Sequence, residues 1–124
     1  MQVKIDTREK FHVITINEPI LAANMTAELN NCLAPLLQND VKNVVLNLKD
    51  IKTVDIAAAE TLAKLQQNYY EQNASFVVCE LQNGVEAFLE QTSLLEMMNV
   101  TPTEVEAGDI IMMEEIEREL LDEQ

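Results

Sequence analysis

The sequence predicts an α/β domain in which helices pack against a mixed sheet of about four to five strands. Two compact apolar runs, residues 44–48 (VVLNL) and 76–79 (FVVC), are typical of strands that are buried on both faces of a parallel sheet. A segment with helical spacing of apolar residues follows each run, which indicates right-handed crossovers. The chain has 124 residues and shows no linker or repeat, so we place a single domain over residues 1–124.

The chain is expected to begin with a hairpin at or near the edge of the sheet. Val3 and Ile5 alternate with polar residues, the polar stretch TREK follows, and residues 11–16 (FHVITI) are rich in β-branched side chains. The only histidine, His12, has no acid and nucleophile pair nearby. We therefore expect it to be a strand residue at the sheet surface.

Residues 24–38 predict the first helix. Leucines at positions 29, 33, 36 and 37 follow helical spacing, and Asn24 or Thr26 can cap the start. Pro35 has no backbone N–H and crowds the carbonyl of Asn31, so we expect a kink or an early end near it.

The run at residues 44–48 is the best candidate for the central strand. Residues 49–54 then predict a polar loop, and Asp55 predicts the N-cap of a helix that extends to about residue 72. Its carboxylate can accept the unpaired N–H groups of the first turn and favours the positive end of the helix dipole. The core stripe of this helix is expected to contain Ala58, Leu62, Leu65 and Tyr69.

In the second half of the chain, predicted strands again alternate with predicted helices. Residues 76–79 predict a strand, and Asn83 with Glu86 three residues later predicts the N-cap of a short helix. A brief extended segment is expected around Asn99 and Val100.

A capping box of Thr103 and Glu106 predicts the start of an acidic C-terminal helix. Its predicted apolar stripe contains Val105, Met112, Met113, Ile116 and Leu120. We expect this stripe to cover one sheet face while the charges remain in water. The alternative is that the helix docks a basic partner with the help of electrostatic steering.

The charge of the chain excludes some partners. With 22 acidic and 8 basic residues the formal net charge is −14, so phosphate would be repelled and we expect neither nucleic acid nor an anionic membrane as a partner. Nine of the acidic residues and one base, Arg118, lie in residues 104–124, which are the acidic pole of the chain.

No motif in the sequence predicts catalysis or a cofactor. Gly84 and Gly108 are the only glycines, which excludes a glycine-rich phosphate loop. One histidine and two separated cysteines, Cys32 and Cys79, do not provide a metal site, and we expect both cysteines to be buried thiols without a disulfide. Because no apolar run approaches the roughly 18 residues of a membrane span and no signal peptide is visible, we expect a cytoplasmic protein without membrane insertion.

The order of elements resembles the STAS domain, the module of bacterial anti-sigma factor antagonists that is also found as the cytoplasmic part of sulfate transporters. Three stretches carry the resemblance over nearly the whole chain. VVLNLKDIKTVD resembles the family's apolar strand, aspartate-containing loop and helix start, and ASFVVCEL resembles its next strand. FLEQTSLLEMMNV is similar to the family's segment of leucine, two residues and Thr-Gly-Leu, with Thr92 and Leu94 in register and Ser93 in place of the glycine.

The resemblance implies a non-enzymatic regulator of transcription that binds a protein partner, namely an anti-sigma factor of the kinase type. In the antagonists the loop ends in Asp-Ser-Ser-Gly or similar, and this partner phosphorylates the first serine. A phosphate at a helix N-terminus lies among unpaired N–H groups, and its charge disrupts a docked surface.

This chain departs from the family at the phosphorylation site itself. Asp55 matches the family's aspartate, Ile56 stands at the position of the acceptor serine, and Ala57 and Ala58 replace the second serine and the glycine. The resemblance therefore implies a partner-binding surface at residues 53–59 without a phosphoswitch at the usual position. Thr53 is the nearest hydroxyl before Asp55 and the candidate substitute acceptor. The sequence leaves open whether Ile56 faces water, a partner or the core.

Two other functions stay open. A STAS-like accessory subunit of a lipid or anion transport ATPase would use the same kind of surface. A receiver-type phosphodomain needs an acidic pair, an acceptor aspartate such as Asp50 or Asp55, and a lysine after a later strand. Glu18 is the only acid in the corresponding first loop, and no lysine follows FVVCEL, which argues against this class. A homodimer is compatible with the sequence, but no pattern specifies one.

Overall fold

The computed structural model describes residues 1–122 and shows a five-stranded mixed sheet with helices on both faces. The strands are β1 (Val3–Thr7), β2 (Phe11–Ile16), β3 (Ile20–Leu21), β4 (Asn43–Asn47), β5 (Thr53–Val54), β6 (Phe76–Cys79) and β7 (Val100–Thr101). The α-helices are α1 (Thr26–Leu33), α2 (Ile56–Glu71), α3 (Asn83–Gln91) and α4 (Glu104–Asp122). Residues 123 and 124, which the domain prediction and the acidic-helix prediction include, lie outside the described residues.

The large sheet has the spatial order β1, β2, β4, β6, β7. β1 and β2 form the predicted antiparallel hairpin at one edge, and every other neighbouring pair is parallel. β4 lies in the middle, as the apolar run at residues 44–48 predicts, and each of its five residues is buried. The predicted fold class, a mixed α/β sheet of four to five strands, is confirmed.

The alternation of side chains along the central strands divides the core into two layers. Val44 and Leu46 of β4 belong to the larger layer, which α1, α2 and α3 cover. Val45 belongs to the smaller layer, where it packs with Val13 and Val77 beneath α4. α2 and α4 therefore lie on opposite faces of the sheet.

The first helix ends early, as the position of Pro35 predicts. α1 ends at Leu33, and the chain continues as a 3-10 helix over Ala34–Gln38, with the proline in its first turn. The predicted cap was wrong, because Met25 occupies the N-cap position and no side chain caps α1. The Thr26 hydroxyl instead donates to the carbonyl of Ala23, at 3.0 Å.

Two further local predictions need correction. Asn83 does not cap α3, since it is already the first helical residue and Gln82 precedes it as the N-cap position. The Gln82 side chain donates to the carbonyl of Lys49 at 2.7 Å and so is not turned to the helix. At the start of α4, the Thr103 hydroxyl accepts the N–H of Glu106 at 3.2 Å, which is one half of the predicted capping box.

His12 lies on β2 as predicted, but it is buried rather than at the sheet surface. Its Nε2 is 2.9 Å from the carbonyl of Val41, which can only accept, so Nε2 carries the proton. Nδ1 lies 2.9 Å from the Thr7 hydroxyl, which provides the second hydrogen bond of the ring. The imidazole is thus a satisfied structural group.

The prediction that the apolar stripe of α4 covers the sheet was wrong. The helix packs on the sheet through Ala107 and Ile111, which are fully buried. The side chains predicted to cover the sheet are instead 40% to 74% exposed: Val105, Met112, Met113, Ile116 and Leu120. The physical reason is that in this orientation the second half of the helix forms hydrogen bonds, described below, with Asn43, Tyr70 and Ser75.

Candidate functional site

The loop before α2 is held by the small parallel sheet of β3 and β5. The N–H of Asp55 donates to the carbonyl of Leu21 at 3.1 Å, and the N–H of Lys52 donates to that of Pro19 at 2.7 Å. Residues 49–54 were predicted to be a polar loop, and this is corrected, because the segment contains β5 and the fully buried Ile51. The start of α2 is therefore fixed to the segment before α1.

Asp55 is the N-cap of α2, as predicted. Its Oδ1 accepts the N–H of Ala58 at 2.9 Å, and its Oδ2 accepts the N–H of Ala23 at 2.6 Å. One carboxylate thus serves the first turn of α2 and a segment far away in sequence. Because each oxygen accepts a backbone N–H, this carboxylate fixes the start of α2 against the segment before α1.

Ile56 faces the solvent. It is the first residue of α2, and its exposed fraction is 47%. Ala57 is half-buried beside it, Thr53 is exposed, and the side chain of Ala58 lies entirely in the core. Of the residues 53–59 named from the sequence, Thr53, Ile56 and Ala57 form the outer surface, while Asp55 and Ala58 fix the helix beneath it.

Sequence reasoning missed Ile20. This side chain is 52% exposed and lies opposite Thr53 in the β3–β5 pair. A strand of two residues has no alternation to detect, so only the register brings Ile20 to this place. We use the term α2 surface for Ile20, Thr53, Ile56 and Ala57, a patch of apolar side chains with one hydroxyl.

Two residues outside the α2 surface, Asp50 and Cys79, belong to types that can carry chemistry. Asp50 accepts a hydrogen bond from the side-chain amide of Asn17 at 3.0 Å. Burial raises the pKa of Cys79 to about 12, so its thiol stays protonated and poorly nucleophilic at neutral pH. Within residues 1–122, no group of three or more histidine, cysteine, aspartate or glutamate side chains could hold a metal ion.

None of the helices described over residues 1–122 combines the length and the apolar composition that a membrane span requires.

Comparison with known proteins identifies a family and a fold. The family model described as "STAS domain" matches residues 2–107. No curated protein sequence matches the chain. An anti-sigma factor antagonist from Mycobacterium paratuberculosis has a similar structure, with a TM-score of 0.77, 12% sequence identity, and coverage of 90% of this chain and 93% of that chain.

Two further solved structures extend the likeness. The Bacillus cell fate determinant SpoIIAA in its phosphorylated form has a TM-score of 0.64 and 12% identity, covering 89% of this chain and 99% of that chain. The murine Solute Carrier 26 family member A9 anion transporter has a TM-score of 0.70 and 14% identity, covering 84% of this chain but only 18% of that chain. Identities this low show a shared fold and nothing finer.

Proposed function

The chain belongs to the STAS domain family, and from this premise we propose that it is a non-enzymatic regulatory module that docks another protein through the α2 surface. The observation that carries the proposal is the exposed Ile56. When a partner covers a large apolar side chain on the first turn of a helix, the removal of that side chain from water stabilises the complex. Ile20 adds a second such side chain beside Thr53.

The proposed partner is an anti-sigma factor of the kinase type, in the bacterial cytoplasm, where the module would regulate transcription. Two observations support this class of partner. The sequence stretches described above resemble the antagonists, and one structure of the same fold is named an anti-sigma factor antagonist. No cofactor or catalytic residue enters the proposal.

Docking at this surface is proposed to be independent of phosphate at Ile56, because isoleucine has no hydroxyl to accept it. Thr53 is exposed and remains the candidate substitute acceptor. A phosphate there would lie two residues from the Asp55 carboxylate, which already occupies the N–H groups of Ala58 and Ala23. Like-charge repulsion would then disfavour the phosphorylated form.

The test is a quantitative pull-down from the native host with mass spectrometry. We compare the wild type with Ile56→Asp, and use Ile5→Asp as the matched control, because Ile5 has the same 47% exposure but lies on the edge strand β1. We expect Ile56→Asp to lower the recovery of the partner by about tenfold or more, and Ile5→Asp to leave it unchanged. Equal recovery with Ile56→Asp and wild type would contradict the proposal.

The alternative proposal is an accessory subunit of a lipid or anion transport ATPase. The observation that favours it is the likeness of fold to a part of the murine anion transporter. The same pull-down separates the two, since an ATP-binding-cassette protein would be recovered in place of a kinase-like anti-sigma factor. Any phosphate on Thr53 would be detected in the same spectra.

A further inference from the structure

The side of α4 that points away from the sheet carries a row of large apolar side chains. We call this row the α4 stripe, and it consists of Val105, Met112, Met113, Ile116 and Leu120, each 40% to 74% exposed. At about 100° per residue, these five positions occupy one sector of the helix, roughly opposite the buried Ala107 and Ile111. From Val105 to Leu120 the row extends for about 22 Å.

Such a row differs from the scattered apolar residues of an ordinary protein surface. Single exposed leucines or methionines need no explanation, whereas a contiguous apolar patch marks a site of interaction. Met112, Met113, Ile116 and Leu120 follow one another within a little over two helical turns, whereas Asp109 separates Val105 from them. A second helix laid along the C-terminal part of α4 could contact these four side chains together.

Hydrogen bonds of the second half of α4, in addition to the packing of Ala107 and Ile111, fix which side of the helix faces the sheet. Glu114 accepts hydrogen bonds from the hydroxyls of Ser75 at 2.6 Å and Tyr70 at 2.8 Å. Glu115 accepts one from the side-chain amide of Asn43 at 2.7 Å, and Arg118 donates to the Ser75 hydroxyl at 2.7 Å. A rotation of α4 that buried the stripe would break these hydrogen bonds and expose Ile111.

The α4 stripe is separate from the surface of the proposed function. The STAS family model ends its match at residue 107, and four of the five stripe residues follow that position. α4 covers the sheet face opposite to the one that α2 covers. An inference about the stripe therefore goes beyond the proposed regulatory docking and can fail or succeed without it.

The charged residues around the α4 stripe are acidic and favour a basic partner. Exposed carboxylates of Glu106, Asp109, Glu117 and Glu119 lie along and beside it. Arg118 is the only base among residues 104–122, and its side chain is 22% exposed and turned to Glu115 and Ser75. A second copy of α4 would set these carboxylates against each other, which is unfavourable. Lysine or arginine beside an apolar row would instead pair with them.

We propose that the α4 stripe binds an amphipathic helix of a partner protein whose apolar face is bordered by lysine or arginine side chains. Apolar contact supplies the affinity, and the acidic border selects the sign of the partner's charge and raises the association rate.

The experiment titrates the full chain against a labelled synthetic peptide of about 18 residues, in which leucines follow helical spacing and lysines fill the borders. A control peptide keeps every lysine and replaces leucine by serine. The test protein is Met112→Ser with Ile116→Ser, which keeps every charge of the helix. Its matched control is Met97→Ser with Ile5→Ser, because these two side chains are also exposed but lie elsewhere.

We expect the leucine peptide to bind the wild type and the matched control with equal affinity. Its affinity for the stripe variant should be lower by about tenfold or more. The serine peptide should bind far more weakly to all three proteins. Glu106→Gln with Glu117→Gln should weaken binding and reduce its dependence on salt. Ile56→Asp should bind the leucine peptide as the wild type does, which separates this test from that of the α2 surface.

Several results would overturn the proposal. Equal affinity of the two peptides would mean that the chain attracts any cation, and equal affinity of the stripe variant would place the site elsewhere. A lowered melting temperature of the stripe variant would mean that these side chains belong to the core. A dimer of the wild type in sedimentation that the stripe variant abolishes would make a second copy the occupant.

Discussion

The Oδ2 oxygen of Asp55 accepts the backbone N–H of Ala23 at 2.6 Å, across 32 positions of the sequence. The Oδ1 oxygen of the same carboxylate accepts the N–H of Ala58 at 2.9 Å, in the first turn of α2. A single side chain therefore holds the segment before α1 against the start of α2. The geometry of the α2 surface therefore depends on this residue.

Replacing Asp55 by alanine should lower the free energy of unfolding by about 1 to 3 kcal/mol, because it removes an N-cap and leaves two backbone donors without their acceptor. Asp55→Asn should cost less, since its one acceptor oxygen can keep the cap. Urea unfolding measures both. Asp6→Ala is the control, as this exposed residue makes only a 3.6 Å surface ion pair with Lys4. A stability of Asp55→Ala equal to that of the control would contradict the assigned role.

Two isoleucines of α4 test which side of the helix faces the sheet. Ile111 is fully buried and Ile116 is 54% exposed. Ile111→Ala should lower the free energy of unfolding by about 2 to 4 kcal/mol through lost burial and a cavity, and Ile116→Ala should change it by about 0.5 kcal/mol or less. Thermal or chemical unfolding gives both values. The opposite order would mean that the stripe faces the sheet.

The raised pKa of Tyr70 predicts that the protein loses stability at alkaline pH. Burial, followed by its hydrogen bond to Glu114, raises the pKa of Tyr70 from 10.0 to about 12. A raised pKa means that folding favours the neutral phenol, so this contribution is complete below pH 10 and is lost as the pH rises from about 10 to about 12.

Tyr70→Phe isolates this effect. At pH 8 the variant should be about 1 to 2 kcal/mol less stable than the wild type, because its hydrogen bonds with Glu114 and Asn99 are gone. Above pH 10 the difference should narrow, since only the wild type loses the contribution of this phenol. Other groups, including Tyr69, whose pKa burial also raises, are present in both proteins and cancel. A difference that stays constant up to pH 12 would refute the assignment.

The two glycines of the chain should respond differently to alanine. Gly84 lies in α3, and an added Cβ would meet no atom within 4 Å, so Gly84→Ala should stabilise the protein by about 0.5 to 1 kcal/mol. At Gly108 in α4 the added Cβ would lie 3.1 Å from the ring of Phe11, which must shift to accommodate it. We expect Gly108→Ala to give a smaller gain or a loss. Melting temperatures of the two variants check this order.

The elements that were predictable are those whose patterns are long and unambiguous. β4 contains the apolar run of residues 44–46, β6 is apolar throughout, and α2 places Leu62, Leu65 and Tyr69 on one side over several turns. β3 and β5 were not predictable, because two residues show no period and only their mutual register defines them. The same register brings Ile20 beside Thr53, so this part of the α2 surface could not be found from the sequence.

α4 shows a different limit of sequence patterns. The helix carries two apolar arcs, the small one of Ala107 and Ile111 and the larger α4 stripe. Hydrophobic periodicity favours the larger arc as the buried one, and that interpretation was wrong. The choice is made by hydrogen bonds to Asn43, Tyr70 and Ser75, which distant parts of the chain supply. At Asp55 the cap was predictable because its partner, Ala58, is local in sequence.

The last turns of α4 are attached by hydrogen bonds, whereas the turn around Ile111 is attached by packed apolar side chains. Water can take the place of a protein hydrogen bond at a modest net cost, so this end of the helix should lift from the sheet more often than the middle. Lifting it uncovers Ser75 and Asn43, where β6 and β4 begin. We therefore expect hydrogen exchange to begin at the first residues of β4 and β6, although β4 is the central strand and β6 lies between β4 and the edge strand β7.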